Sequence, residues 1–451
     1  MKKYTIILGF VLLIFGLVMI SILFFDSKLQ NDPEFREEIM RIAMKEENER
    51  DTHAVGNMFE TEVSQKNVQI KNATKGAANP EQNQESDNAL RVDAVLSSED
   101  WDDRLNAGIS TGAVISAKKE CEELFYFRNL DEFDKQLYSE IYILLKNYNG
   151  NVCLCSLDAD KIDMIFTCVL CDHPEIFYSN GYVLTKYSIK DEVARYGFSP
   201  MYTMEKSEAE ECKKYVDEYT RLFMTGIDKY ASEYEKIKYT YEFIIVNTEY
   251  DINSPENQNI LSVMLYGRSV CQGYSRAVQY LLSNLGISST VVSGYVENGE
   301  GHAWNLVKCN NAYYYLDSTW GDSSFSSNAG SNSFYDLSYD YLNITTADLE
   351  KNHIIDNILP LPKCVFTEEN YFIKEGKYFD SLNSTRLESV FRGAYNEGRS
   401  TVSIKCSSKQ VLDEIMQYLI TDSHIFDYLS SSAQKVEYCV NEDLFTISFS
   451  L

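Results

Sequence analysis

The chain has 451 residues, which by ordinary domain size leaves room for two or three domains. Its 44% hydrophobic and 13% aromatic content is enough for sizeable cores and excludes wholesale disorder. The 41 basic and 68 acidic residues leave a net charge of −27, which repels phosphate backbones and, with no local basic patch, excludes nucleic acid as a partner.

The chain opens on Lys2 and Lys3, followed by the uncharged apolar run 4–25. At about 1.5 Å per helical residue this run spans the roughly 30 Å hydrocarbon core of a bilayer. Asp26, Asp32 and Glu34 follow, with only Lys28 between them, so the positive-inside bias puts the tip in the cytoplasm and the bulk outside. A cleaved signal peptide is the competing reading. Its apolar stretch would be shorter, and Phe24-Phe25-Asp26-Ser27 makes a poor cleavage site. The expectation is a single transmembrane signal anchor over 1–25, with the rest of the chain extracellular.

Residues 26–118 read as a flexible acidic stalk. Within them, 64–89 are polar, Asn/Gln-rich and free of aromatics, and cannot bury enough apolar area to offset ordering entropy. From 119 the pattern becomes dense. Phe133, Leu137, Ile141, Leu144 and Leu145 recur at helical spacing, a β-like run covers 151–157, and helices are expected at 159–171, 205–227 and 231–248. Residues 119–235 are thus expected to form an α-rich N-terminal module. Cys153, Cys155, Cys168, Cys171 and His173 lie close enough in sequence to suggest a metal site. Cys168 and Cys171 sit in an apolar stretch, however, and no partner follows at zinc-finger spacing, so buried thiols and no metal are expected. His173 beside Pro174 reads as structural. The eleven cysteines are odd in number, so at least one is left out of any intramolecular pairing, and they are too dilute for a disulfide scaffold.

The segment 236–348 carries the chemistry. In GRSVCQGYSRAVQYLLSNLGI, Tyr274, Ala277, Val278, Leu281, Leu282 and Leu285 form one apolar helix face, closed by Gly286. Cys271 falls at the first turn of that helix, where unpaired N–H groups and the positive end of the dipole favour a thiolate. A strand at 289–294 leads to GHAWNLV, a turn around 309–311, and AYYYLD. With a two-residue turn at Cys309-Asn310, His302 stands opposite Asp317 on the same sheet face. A thiolate nucleophile wants an imidazole to take its proton, and the imidazole wants a carboxylate to fix its tautomer. Trp304 and Trp320 read as packing residues, Trp320 as a shield against water. After 349 a small α/β accessory domain is expected, with a β-like run at 371–379, helices at 385–397 and 410–420, and strands at 401–407, 436–440 and 444–450. It holds no catalytic constellation.

Cys271 opening a helix, His302 in GHAWN and Asp317 in YLDSTW resemble the transglutaminase-like superfamily, a branch of the papain-like cysteine enzymes, and Tyr250-Asp251 with the helix before it fit the family's lead-in. The resemblance covers about residues 232–325 and implies an α+β fold with a papain-like core. It implies Cys271 as nucleophile, His302 as general base and acid, Asp317 as the orienting group, and the Cys271 backbone N–H as one oxyanion donor. The implied function is a cell-surface, bacterial cysteine enzyme that acts on peptide or glutamine carboxamide bonds through a thioester, with water or an amine as acceptor. It requires no metal and no organic cofactor. Its partner is a protein or peptide substrate, with the cell wall a candidate location. The other reading is a catalytically inert module that binds or scaffolds at the surface.

Overall fold

A computed structural model of the chain describes residues 68–72, 96–189, 192–322, 337–429 and 435–451. The apolar run 4–25 and most of the expected stalk lie outside these residues. Among the described residues no helix is long and apolar enough to cross a membrane.

Val68–Asn72 (β1), inside the expected spacer, is a strand. Two helices, α1 (Ser98–Asn106) and α2 (Thr111–Glu120), also occupy sequence where a stalk was expected. Ser97 and Asp100 form a capping box at α1, and Ser110 caps α2. Arg104 on α1 forms a buried two-point pair with Glu140, at 2.6 and 3.2 Å, and donates to the Cys153 carbonyl. An ion pair and caps, rather than a long apolar stripe, hold α1 in place, which is why its sequence resembles a spacer. Glu140 belongs to α3 (Glu132–Asn147), and β2 (Val152–Cys153) and α4 (Ala159–Asp172) follow. A long hairpin that the helical reading passes over comes next, β3 (Ser179–Ile189) and β4 (Glu192–Tyr202). The sheet order is β1-β3-β4-β2, all antiparallel.

Helices α5 (Lys206–Thr225) and α6 (Glu233–Val246) lie close to their expected ranges and lead to the central unit. Its elements are β5 (Glu249–Tyr250), α7 (Ile260–Tyr266), β6 (Arg268–Ser269) and α8 (Cys271–Asn284), then β7 (Ser289–Val296), β8 (Gly301–Cys309), β9 (Ala312–Leu316), β10 (Leu342–Ile344) and β11 (His353–Ile355). The last five make one antiparallel sheet, ordered β10-β9-β8-β7-β11. Alternation along its strands splits the core. Val292, Trp304, Leu306, Tyr315 and Ile344 face the N-terminal helices, in one hydrophobic cluster with Tyr126, Leu144 and Phe166. Val307, Cys309, Tyr314, Leu316 and Leu342 face the other way, in a cluster with Ile237, Tyr241, Val278 and Leu282. Tyr126 seals the first face by donating to the Val291 carbonyl at 3.0 Å. The core is therefore continuous across residues 235 and 236.

A separate small core follows. It is built on β12 (Tyr378–Phe379), α9 (Ser384–Asn396), β13 (Thr401–Cys406), α10 (Lys409–Met416), β14 (Tyr438–Asn441) and β15 (Thr446–Ser450), in sheet order β12-β13-β15-β14. The β-like run expected at 371–379 is a short helix, Tyr371–Lys374, before β12, because Asn370 caps it by accepting from the Phe372 N–H. Asn441 donates to Asp340 at 2.9 Å and Lys405 pairs with Asp348 at 2.9 Å, tying this unit to the central one.

The pair that holds α1 gives the first test. Arg104→Met leaves the buried Glu140 without its cation, so urea unfolding of the full chain should lose about 3–5 kcal/mol. Adding Glu140→Gln should recover part of that loss.

Candidate active site

Each member of the site is placed by backbone that the local sequence favours. β5 and β6 pair in parallel, Tyr250 beside Ser269, and deliver the chain to Val270, where α8 begins. Asn259 caps α7 and Ser232 caps α6, but Val270 offers α8 no side-chain cap. The N–H groups around Cys271 are thus left for another partner. Gly273 lets this turn sit close to its neighbours. A Cβ there would lie 2.0 Å from Ser269 Oγ and 2.5 Å from Ser262 Oγ, two hydroxyls that are themselves 2.6 Å apart. Along the sheet, Asn305 donates to the Ser275 carbonyl at 2.8 Å and fixes α8 against β8.

The β8–β9 turn is at Asn310-Asn311, with φ of 49° and 66°, rather than at Cys309-Asn310. This moves the register by two residues. A shift of two keeps each side chain on its face, so His302 and Asp317 become diagonal neighbours and still meet. His302 Nε2–H donates to Asp317 Oδ2 at 2.7 Å, and Asp317 Oδ1 accepts the backbone N–H groups of Thr319 and Trp320 at 2.9 and 3.1 Å. Trp304 stacks on the His302 ring at 5.8 Å, and Trp320 lies 6.1 Å from it.

Electrostatics follow from this packing. Burial opposes charge on His302, but the Asp317 carboxylate and a hydrogen bond with Cys271 outweigh it and raise the imidazole to about 10. Burial likewise opposes charge on Asp317. The His302 charge and hydrogen bonds from His302 and His353 nevertheless hold it well below the usual carboxylate range. Tyr250 is pushed up to about 12 by burial and by the charges of Cys271, Glu300 and Asp317, which marks its phenol as facing the same site. Cys271 is partly exposed, whereas Cys121, Cys153, Cys155, Cys168 and Cys309 are buried. None of the eleven cysteines is joined in a disulfide.

His353 is the member that sequence reasoning missed. It sits on the edge strand β11, fully buried, with Nε2 3.1 Å from Asp317 Oδ2. Its one signal was scarcity, since the chain has only five histidines and this one falls in an alternating strand. His302, Asp317 and His353 hold their ligating atoms within 4.8 Å of one another, the closest approach to a metal-ligand group among the described residues. The 2.7 and 3.1 Å contacts are hydrogen-bond distances between imidazole donors and a carboxylate, which accounts for the cluster. The weighed group of cysteines does not assemble around His173. Instead His173 Nδ1 lies 2.7 Å from Glu175 Oε1, and Nε2 lies 3.6 Å from Cys121 Sγ. That second Cys–His–carboxylate arrangement is sealed, because burial pushes the Cys121 thiol far above its ordinary value and leaves it no exposure.

Residues 223–318 match the transglutaminase-like superfamily. Cys271, His302 and Asp317 fall inside the match and His353 falls outside it. Similar solved structures include a TGase, at 17% identity and TM-score 0.23 over 31% of this chain and 44% of that one. Another is a proposed cysteine protease from Cytophaga hutchinsonii, at 13% identity and TM-score 0.21 over 30% of this chain and 61% of that one. The chain thus spans less than two thirds of either structure. No curated protein matches it in sequence.

Two outcomes test the site. Gly273→Ala should cost about 1–3 kcal/mol in denaturant unfolding, because the serine pair must move. In ring-nitrogen NMR titrations, His302 should keep its proton well past neutrality, and Asp317→Asn should bring its midpoint down toward the ordinary value of about 6.5.

Proposed function

We propose that the protein is a membrane-anchored, cell-surface cysteine enzyme that cleaves or transfers the acyl group of peptide or glutamine carboxamides. One observation carries this reading: a partly exposed thiol opens an uncapped helix against an imidazole whose far nitrogen is held by a buried carboxylate. With His302 protonated, Cys271 is poised as a thiolate. Its sulfur attacks the carbonyl carbon, and the negative charge moves to the carbonyl oxygen, where the Cys271 backbone N–H can donate. Tyr250 is the side-chain candidate for a second donor. As the C–N bond breaks, the imidazolium gives its proton to the departing ammonia or amine, leaving a thioester. His302, now neutral, takes a proton from the acceptor, which attacks the thioester and releases the thiolate. Water as acceptor makes the enzyme a protease, amidase or deamidase, and a lysine amine makes it a cross-linking enzyme. These steps need only the three side chains and the acceptor.

The location rests on Lys2 and Lys3 ahead of the apolar run 4–25 and the acidic residues after it, which support an anchor with the bulk of the chain outside. The substrate class is then protein or peptide at the cell surface.

The test is the pH dependence of Cys271 alkylation by iodoacetamide in the full-length chain, read peptide by peptide so that Cys171 and Cys439 are counted apart. An apparent pKa well below about 8.5 that rises in His302→Ala supports the thiolate–imidazolium pair. Ordinary reactivity that ignores His302→Ala would sink the enzyme reading and favour an inert binding module.

A further inference from the structure

We infer that His353 is a positioning residue that shares the Oδ2 atom of Asp317 with His302 and thereby limits how tightly His302 holds its proton. The inference rests on the enzyme reading for its consequence, but its geometry stands by itself. An ionised carboxylate can only accept hydrogen bonds. Both contacts to Oδ2, 2.7 Å from His302 Nε2 and 3.1 Å from His353 Nε2, are therefore donations by protonated ring nitrogens. Two donors on one oxygen divide its negative charge, and each is held less tightly than it would be alone.

The fold is built to bring the second imidazole there. β11 pairs with β7 so that His353 lies opposite Val296 and Ile355 opposite Gly294, while Gly294 also lies opposite His302. His302 and His353 thus share a sheet face, two strands apart. Gly294 stands between them, where a Cβ would lie 2.0 Å from the Ile354 carbonyl oxygen and 2.7 Å from the Trp304 ring. His353 is clamped by Trp320 at 4.6 Å, by Trp304 at 5.1 Å and by Tyr341 at 5.5 Å. Behind it, Nδ1 lies 2.7 Å from Asn352 Oδ1, and Asn352 donates to the Tyr341 hydroxyl at 2.7 Å. The Asn352 amide in either orientation leaves Nε2 protonated toward Asp317. Neutral or cationic, His353 acts on His302 in the same direction.

A shared carboxylate suits a base that must later act as an acid. Asp317 alone would make the imidazolium too reluctant to give its proton to the leaving group. Removing the donor at 353 should therefore strengthen His302 as a base, the opposite of what loss of a purely structural support would do. The other titratable groups facing the cluster are Cys271 from α8, Tyr241 from α6, Tyr250 from β5, Tyr341 with Asp340 ahead of β10, and Glu300 beside Tyr250. The three phenols are all pushed above their ordinary range, and these groups and the two carboxylates are common to every variant compared.

The experiment compares the His302 ring-nitrogen NMR titration in the full-length wild type, His353→Leu and His353→Gln, with Cys271 alkylation on the same chains. Five histidines make each ring assignable by single substitution. In His353→Leu the His302 ring-nitrogen midpoint should move to higher pH by about one unit, the size expected when one neighbouring partner of a charge is lost. Gln places an amide N–H where Nε2 stood and should restore the wild-type midpoint. An unmoved or lowered His302 midpoint in His353→Leu, or a Gln variant that shifts as far as Leu, would overturn the inference. If His353→Leu does not fold, the Gln midpoint and the wild-type spectrum decide. A His353 Nε2 without a proton at neutral pH overturns it, and a protonated, hydrogen-bonded Nε2 supports it. Wild-type Cys271 with ordinary reactivity defeats the proposed function instead, while the NMR still reads the shared carboxylate.

Discussion

The site depends on one buried charge. Asp317 is almost wholly withdrawn from solvent, and an isolated carboxylate there would cost several kcal/mol. Four donors offset that cost: two backbone N–H groups on Oδ1 and two imidazoles on Oδ2. Each donor places a demand on the fold. The Thr319 and Trp320 amides require the chain to turn immediately after β9. His302 requires the Asn310-Asn311 hairpin. His353 requires a fifth strand, far along the chain, laid on the β7 edge.

Those demands explain why the sheet sits in the middle of the molecule. A polar cluster of this density keeps its strength only where water is excluded, because the same contacts in high dielectric are worth little. The exclusion comes from both sides. Helices α6–α8 cover one face, and the N-terminal helices with Tyr126 cover the other, in a core that does not break at residue 235. Residues between Ala107 and Phe198 thus supply the second wall, while α5 packs with α6–α8 on the first. The C-terminal unit has its own core, but it also joins the central one, through polar pairs such as Asn441–Asp340 and through Leu444, which is buried in the cluster that holds Trp304.

Much of this was legible because it is local. The apolar stripe from Tyr274 to Leu285, the helix start at Cys271 and the strand-rich flanks of GHAWN and YLDSTW are patterns of a few turns each. The side of the sheet on which His302 and Asp317 lie was readable even though the turn was misplaced, because a register error of two preserves the face. What was not legible is pairing at a distance. Nothing within HII at 353–355 says which edge it joins, so His353 looked like any strand histidine. The β3–β4 hairpin was passed over because the helical patterns on either side drew the reading past it. Helix α1 was mistaken for stalk because its anchor, Glu140, lies far along the chain from Arg104.

Under the proposed function, the start of α8 shows local stability yielding to chemistry. Ser97, Ser110, Asp131, Asp158, Ser232 and Asn259 each cap the helix that follows them, an arrangement worth about 1 kcal/mol apiece. Val270 makes no such bond. Lack of a cap is not by itself a sign of function, since Glu205 and Leu124 also precede helices without one. The difference lies in what occupies the first turn. At α8 it is a partly exposed thiol facing an imidazole that is held protonated, so under the proposed function the uncapped N–H groups of the first turn add positive potential beside the sulfur that a capping oxygen at residue 270 would offset. The same turn is then fixed from below by the Ser262–Ser269 hydroxyl pair under Gly273, which holds the helix start rigid without touching its free donors.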